Sequence, residues 1–123
     1  MNDFESIIIE NMSIGIYDRY IDYDCFLYRI REECWDDFLE DITKWFRERL
    51  EIRNFLQLNE VYEALGFKKI YGGYTLGWTD PKEFDMQIKQ DGNMHYIEIK
   101  NVKDLHDDIY EQYRKRVEER FGN

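Results

Sequence analysis

Residues 83–101, EFDMQIKQDGNMHYIEIKN, predict a β-hairpin that has one apolar and one charged face. Apolar and polar residues alternate on both sides of Asp91-Gly92, a dipeptide typical of two-residue hairpin loops. If that dipeptide forms the loop, Phe84 lies opposite Ile99, and every second residue falls on the same face. The apolar face then consists of Phe84, Met86, Ile88, Ile97 and Ile99. We expect this face to form part of the core.

The charged face of the hairpin resembles the metal site of PD-(D/E)xK nucleases. The predicted register places Asp85 opposite Glu98, and Lys100 follows two residues later. An upstream helix that carries Glu60 and Glu63 extends the resemblance. It implies that Asp85 and Glu98 hold Mg²⁺ while Lys100 steadies the attacking water.

An ordinary amphipathic hairpin explains the same residues without catalysis. Opposed carboxylates destabilise a sheet, but Lys100, opposite Glu83 in this register, supplies a cation that would neutralise them. Pro81 does not directly precede Asp85, so the Pro-Asp pair of those nucleases is absent. We therefore expect a non-enzymatic protein without metal or cofactor. A Mg²⁺-dependent nuclease centred on Asp85, Glu98 and Lys100 is the alternative.

The chain is strongly acidic, with 27 Asp and Glu residues against 17 Lys and Arg residues and a formal charge of −10. Affinity for nucleic acid rests mainly on Lys and Arg that displace counterions from phosphates, so we expect no direct binding to nucleic acid. The same charge favours encounter with a basic protein. The acids are concentrated in residues 17–41, which contain nine acids and three bases.

We expect this acidic stretch to bind a basic partner. Its carboxylates would bind at the positions where the partner normally binds phosphates, and its tyrosines would supply rigid contact area. The residues assigned to this partner-binding set are Asp18, Tyr20, Asp22, Tyr23, Asp24, Glu32, Glu33, Asp36 and Asp37. A homodimer is compatible with this role.

The periodicity of the chain predicts a single α+β domain over residues 1–123, in which helices cover an antiparallel sheet. The predicted segments are two β segments within 4–30, helices at 34–51 and 60–65, and a strand–turn–strand unit over 67–78. Asn59 is the expected N-cap of the second helix. The domain then has an acidic β-rich part (1–33), a helical part (34–66), a β meander (67–101) and a C-terminal helix (102–123).

The C-terminal helix is predicted to be amphipathic and to begin after the capping residue Asp104. One apolar residue recurs every four positions on the side expected to be buried. These residues are Leu105, Ile109, Tyr113, Val117 and Phe121.

The two cysteines, Cys25 and Cys34, lack the spacing of a metal or redox motif and predict reduced thiols. No apolar run approaches the roughly 20 residues that a transmembrane helix needs. Both features favour a cytoplasmic protein.

Two short motifs resemble small proteins of phages and integrated mobile elements. One is the helix motif Asn59-Glu60-Val61-Tyr62 with Leu65-Gly66, and the other is the turn Gly77-Trp78-Thr79-Asp80. With the acidic stretch, this resemblance extends to the class of small acidic anti-CRISPR and other anti-defence proteins. It implies an inhibitor that presents carboxylates where its target expects DNA phosphates.

Three functions therefore follow from the sequence. The favoured one is a cytoplasmic binding protein that inhibits a basic, nucleic-acid-handling protein, such as a CRISPR or other defence nuclease, by DNA mimicry. The second is the metal-dependent nuclease. The third is a structural or assembly protein of a mobile element, able to dimerise through a free sheet edge.

Overall fold

Residues 14–121, the part of the chain that the computed structural model describes, form two three-stranded antiparallel sheets and three α-helices. The strands are β1 (Arg19–Tyr20), β2 (Leu56–Gln57), β3 (Leu76–Trp78), β4 (Asp85–Asp91), β5 (Met94–Lys100) and β6 (Lys103–Asp104). The helices are α1 (Trp35–Arg53), α2 (Leu58–Leu65) and α3 (His106–Phe121), with short 3₁₀ helices at Phe26–Arg29 and Glu32–Cys34 before α1. The strand orders are β1-β5-β4 and β2-β3-β6. This architecture confirms the predicted single α+β domain.

The predicted hairpin is present as β4 and β5, but its register is shifted by two positions from the prediction. Asp91 pairs with Met94, so the loop consists of Gly92 and Asn93 rather than of Asp91 and Gly92. Gly92 has a φ of +59° and is the first loop residue, the position where type II′ hairpin turns favour glycine. Because a shift of two leaves each residue on its face, the apolar side still faces the core.

The predicted alternation in the N-terminal part is realised only in β1, which pairs with β5. After β1 the chain turns and enters the two 3₁₀ helices, so the longer predicted strand is wrong. The Oδ1 atom of Asp22 accepts the N–H of Asp24 at 3.0 Å, and the Asp22 carbonyl accepts the N–H of Cys25 at 3.0 Å. Such local bonds compete with a β ladder. The other predicted β segment, before residue 14, lies outside the described residues.

Helix α1 confirms the helix predicted at 34–51 and extends it to Arg53. It ends at Asn54, whose φ of +68° is in the left-handed region typical of helix ends. The apolar side of α1 buries Leu39, Phe46 and Leu50.

Helix α2 begins before the predicted start, and Asn59 is not its N-cap. Gln57 takes that position and forms a reciprocal capping box with Glu60. Asn59 is fully buried within α2, where its Nδ2 donates to the carbonyl of Ile70 at 3.0 Å and its Oδ1 accepts the Ile70 N–H at 2.8 Å. These bonds hold the chain before β3 in turns, so only the second strand of the predicted strand–turn–strand unit forms.

Aromatic rings connect the two sheets to α1. Phe84, directly before β4, packs edge-to-face against Trp78 of β3, with ring centroids 4.7 Å apart. Phe84 also packs edge-to-face against Phe46 of α1, with ring centroids 5.8 Å apart. All three side chains are at most 1% exposed. The indole N–H of Trp78 donates to the carbonyl of Lys100 at 2.7 Å, which satisfies its one polar group.

Helix α3 has nearly the predicted bounds, but its predicted buried stripe is wrong. Leu105, just before the helix, is fully buried, whereas Tyr113 and Phe121 are 67% and 76% exposed. No residue of α3 is buried. Periodicity can place apolar residues on one side of a helix, but burial also requires an element packed against that side.

Both cysteines are free thiols, and Cys25 is buried while Cys34 is exposed. Among residues 14–121, no helix combines the length and the apolar character needed to cross a bilayer.

The two side-chain bonds of Asn59 yield a prediction about stability. We expect Asn59→Ala to lower the free energy of unfolding by about 1–3 kcal/mol, because the N–H of Ile70 loses its partner and the C=O of Ile70 keeps only the N–H of Gly73. Urea denaturation followed by far-ultraviolet circular dichroism measures this. The control is Glu63→Ala, an exposed position of the same helix, which should change stability by less than about 1 kcal/mol. Equal effects of both substitutions would contradict this role.

Candidate functional site

The most acidic exposed surface lies at the start of α1. Asp36 and Asp37 occupy its first turn, Glu40 and Asp41 its second, and all four are exposed. None of them is within ion-pair distance of a base among residues 14–121. The helix dipole favours acids in the first turn but not in the second, and the i,i+4 pairs repel each other. Helix stability alone therefore does not account for this concentration of charge.

Two acidic stretches meet at His95 of β5. The Ile21 N–H, next to the exposed turn of residues 22–24, donates to the His95 carbonyl at 2.9 Å. Glu32 lies 3.3 Å from His95 Nε2, and the Trp35 ring packs edge-to-face on the imidazole at 5.3 Å. The structure thus brings the turn and the start of α1 to the same end of the hairpin.

Two members of the partner-binding set are used inside the fold. Asp18 is buried, and its carboxylate accepts the N–H groups of Gly15 and Ile99, each at 2.8 Å. The hydroxyl of Tyr20 donates to Asp91 Oδ2 at 2.8 Å, and this hydrogen bond raises the pKa of Tyr20. Asp18 is therefore not available to a partner, and the hydroxyl of Tyr20 is already hydrogen-bonded within the fold.

The other seven members are exposed. They are Asp22, Tyr23, Asp24, Glu32, Glu33, Asp36 and Asp37. We call these seven residues, together with Glu40 and Asp41, the acidic surface. Sequence reasoning did not include Glu40 and Asp41 in the partner-binding set, although their i,i+4 spacing from Asp36 and Asp37 could have identified them.

A groove of about 360 Å³ separates α1 from β4. We call it the α1–β4 groove. Its lining residues are Asp36, Leu39, Glu40, Thr43 and Arg47 of α1 and Asp85, Met86, Gln87 and Ile88 of β4. It was not predicted from the sequence, because the contact between α1 and one edge of the hairpin depends on the tertiary packing.

Asp85, Glu98 and Lys100 converge on the charged face as the sequence predicted, but in a different arrangement. Lys100, not Glu98, pairs with Asp85 across the ladder, so the predicted opposition of two carboxylates is wrong. Lys100 Nζ lies 3.2 Å from Glu98 Oε1 and 3.8 Å from Asp85 Oδ2. Arg47 Nη2 lies 3.7 Å from Asp85 Oδ1.

This donor set fits a divalent cation only in part. One or two carboxylates with water are how proteins hold Mg²⁺, so the number of carboxylates is suitable. However, Lys100 and Arg47 already provide two positive charges next to the two negative ones. In the described ranges, no three or more His, Cys, Asp or Glu side chains are grouped as a metal site requires.

Glu60, which the nuclease resemblance placed near the site, has a structural role. Arg53 binds its carboxylate in a bidentate manner at 2.6 and 2.9 Å, and Arg49 Nη2 lies 3.2 Å away. Burial opposes the charge of Glu60, but hydrogen bonds from Arg53 and the Gln57 N–H, with the charges of both arginines, lower its pKa. Glu63 is exposed and pairs with Lys69 at 3.4 Å.

Comparison with known protein families gives one match. The model of DUF6353, a family of unknown function, matches residues 23–108. The chain belongs to DUF6353. The match covers most of the acidic surface, the whole α1–β4 groove and the hairpin, and it ends just after α3 begins. Comparison with curated proteins and with solved structures gives no match.

The lowered pKa of Glu60 leads to a prediction on pH dependence. At neutral pH we expect Glu60→Gln to lower the free energy of unfolding by about 1–3 kcal/mol, because it weakens charge-assisted hydrogen bonds. Since the folded pKa lies below the unfolded one, this stabilisation is present above the unfolded pKa and is lost as pH falls through the folded pKa. The difference between wild type and variant should therefore shrink below about pH 4.

Urea denaturation at a series of pH values measures this difference. The exposed Glu51→Gln substitution in α1 is the control, with little effect expected at any pH. A deficit in Glu60→Gln that stayed constant down to acid pH would show that the carboxylate charge is not what stabilises this contact.

Proposed function

We propose that this DUF6353 protein is a non-enzymatic inhibitor that binds a basic, nucleic-acid-handling protein of the host cytoplasm. A CRISPR effector or another defence nuclease is the class of target that this surface would suit. The observation that carries the proposal is the acidic surface, whose carboxylates are exposed and, Glu32 apart, lie outside ion-pair distance of any base in the described ranges. The acids inside the fold, in contrast, have partners.

The physical basis is electrostatic complementarity. A nucleic-acid-binding cleft carries Lys and Arg at the spacing of phosphates, and a dense row of carboxylates would attract it over about a Debye length. Such attraction raises the association rate, and it suppresses binding to other acidic proteins. The formal charge of −10 disfavours binding to nucleic acid itself, so we propose competition with nucleic acid rather than a joint complex.

The exposed tyrosines add contact area to the charge. Tyr23 lies within the acidic turn of residues 22–24 and is 72% exposed, and Tyr28 is 60% exposed. Tyrosine contributes a large amphipathic surface at low cost in conformational entropy. The acidic surface can therefore offer both long-range steering and short-range packing.

The test is inhibition of a purified effector nuclease of a host defence system by this protein. We expect inhibition by wild type to weaken about tenfold or more when Asp24, Glu33 and Asp41 are all changed to Lys, because steering and charge pairing are lost. These positions leave the lining of the α1–β4 groove intact. Inhibition should also weaken as salt rises from about 0.05 to about 0.5 M.

The matched control changes Glu48, Glu51 and Glu118 to Lys. These exposed acids lie outside the acidic surface and alter the net charge by the same amount. If both triple variants lost inhibition equally, net charge and not this surface would be responsible. The proposal would be refuted if the wild-type protein inhibited neither an effector nuclease nor any other nucleic-acid-handling protein assayed in the same way.

A Mg²⁺-dependent nuclease is the second candidate, favoured by the convergence of Asp85, Glu98 and Lys100. Because Lys100 and Arg47 balance both carboxylates, we expect no cleavage of DNA or RNA by wild type in Mg²⁺ or Mn²⁺ beyond that of Lys100→Ala. The measurement is gel electrophoresis of labelled substrates. Cleavage by wild type that disappears in Lys100→Ala and in Asp85→Asn would establish the nuclease instead.

A further inference from the structure

Among residues 14–121, strand β4 has a hydrogen-bonded neighbour strand on only one side. The sheet order β1-β5-β4 places no strand of the described residues on its outer edge, and this edge borders the α1–β4 groove. The groove is lined by Asp85 and Gln87 from one face of β4 and by Met86 and Ile88 from the other. Because both faces contribute, the groove lies along the edge itself and not over one face.

The hydrogen-bond pattern of the sheet shows which backbone groups point into the groove. In an antiparallel ladder, the N–H and C=O of each residue point to the same side, and that side alternates along the strand. The Ile99 N–H donates to Asp18, and the His95 carbonyl accepts from Ile21, so odd-numbered residues of β5 point towards β1.

The even-numbered residues of β5 therefore bond to their partners in β4, which are odd-numbered. It follows that Met86 and Ile88 direct their N–H and C=O groups outwards, into the groove. Among residues 14–121, no backbone or side-chain group forms a hydrogen bond with those of Met86 or Ile88. The edge thus offers alternating donors and acceptors.

Arg47 already bonds to this edge at one end. Its guanidinium donates to the outward carbonyl of Phe84 through Nη2 at 2.8 Å and through Nε at 3.1 Å. This confirms that even-numbered positions point outwards and shows that the edge accepts donors brought from α1. Arg47 bonds only to the carbonyl of Phe84 on this edge. The outward N–H and C=O groups of the next two such residues, Met86 and Ile88, form no hydrogen bond with a group of the described ranges.

We propose that the β4 edge binds a short, extended, basic segment of the partner protein as an additional antiparallel or parallel strand. This inference rests on the proposed function, because it identifies how a basic partner is held. Strand addition supplies affinity through main-chain hydrogen bonds and specificity through alternate side chains. A volume of about 360 Å³ is at the small end of binding pockets and suits a few residues of a strand.

The lining of the groove specifies the side chains of that segment. Leu39 and Met86 are 4% and 5% exposed and form an apolar floor for one set of alternate residues. Asp36 and Glu40 are exposed carboxylates on the opposing helix and lie outside ion-pair distance of the bases in the described ranges. A segment in which Lys or Arg alternates with aliphatic residues would satisfy both features.

A second copy of this chain fits the groove less well. Pairing of β4 with β4 of another molecule would bring Asp85 and Asp91 of each copy to a groove that already carries Asp36 and Glu40. Like charges at close range destabilise such a ladder. Charge complementarity therefore favours a basic segment of a different protein.

The test uses a ten-residue peptide of alternating Lys and Val, labelled for fluorescence anisotropy, with an alternating Glu and Val peptide as the charge control. We expect the Lys–Val peptide to bind and the Glu–Val peptide to show no saturable binding. Ile88→Pro removes the outward N–H of Ile88, which an edge strand tolerates because the β4–β5 ladder does not use it. It should weaken binding about tenfold, the effect of one lost backbone bond together with distortion of its neighbours.

Ile88→Val is the matched variant that keeps the N–H and should bind within about twofold of wild type. Circular dichroism and tryptophan fluorescence report whether each variant is folded. Amide hydrogen exchange of wild type gives a readout that needs no substitution. We expect the Lys–Val peptide to slow exchange at Met86 and Ile88 and to leave Gln87, already bonded within the hairpin, unchanged.

Three results would overturn the inference. They are no binding of the Lys–Val peptide to wild type, binding that leaves Met86 and Ile88 exchange unchanged, and a wild-type dimer in light scattering that Ile88→Pro abolishes. The proposed function is tested separately. If inhibition is lost in the Asp24, Glu33 and Asp41 variant but persists in Ile88→Pro, the acidic surface acts without strand addition, and only this inference fails. If the peptide binds as expected and no nuclease is inhibited, only the proposed function fails.

Discussion

The packing of Phe84 against Trp78 and Phe46 is the interaction on which the rest of the structure depends. It connects the start of β4 to the second sheet and to α1, within a core where all three rings are at most 1% exposed. Edge-to-face pairs of this kind add about 0.5–1.5 kcal/mol each to the hydrophobic contribution of burial. By fixing α1 beside β4, this packing creates the α1–β4 groove and brings Arg47 to the edge of the sheet.

The acids of this chain fall into two groups that differ in their surroundings. Asp18 and Glu60 lie inside the fold, where backbone N–H groups or arginines satisfy them, so their charge contributes to stability. The acidic surface has few such partners among residues 14–121, and its charges repel one another in solution. A cationic surface would relieve that repulsion, and this gives the proposed binding its electrostatic driving force. The groove lies next to this surface because Asp36 and Glu40 belong to both.

Features fixed by short-range patterns were predicted well from the sequence. Helix α1, the end of α2 at Gly66 and the two faces of the hairpin follow from periodicity and from turn and cap residues, which act within a few positions. The predicted hairpin register was wrong by two positions because glycine can occupy either position of a two-residue loop. The assignment of residues to the two faces was nevertheless correct, since side chains alternate with a period of two. The convergence of Asp85, Glu98 and Lys100 was predicted for the same reason.

The predictions that proved wrong concern residues whose environment is set by parts of the chain far away in the sequence. The role of Asn59 is set by Ile70, eleven residues away, and the burial of Asp18 by Ile99, 81 residues away, and no local pattern indicates either contact. The buried stripe predicted for α3 was wrong because burial requires a neighbouring element, and Tyr113 and Phe121 of this helix are exposed.

The sequence by itself thus determined the helices, the faces of the hairpin and the excess of acid, because these follow from the order of residue types along a short stretch. Only the tertiary structure decided which acids are satisfied internally and which face solvent, and which sheet edge carries no further strand of the described residues beside α1. Those outcomes depend on contacts between residues far apart in the chain, and such contacts form only when the core has been packed.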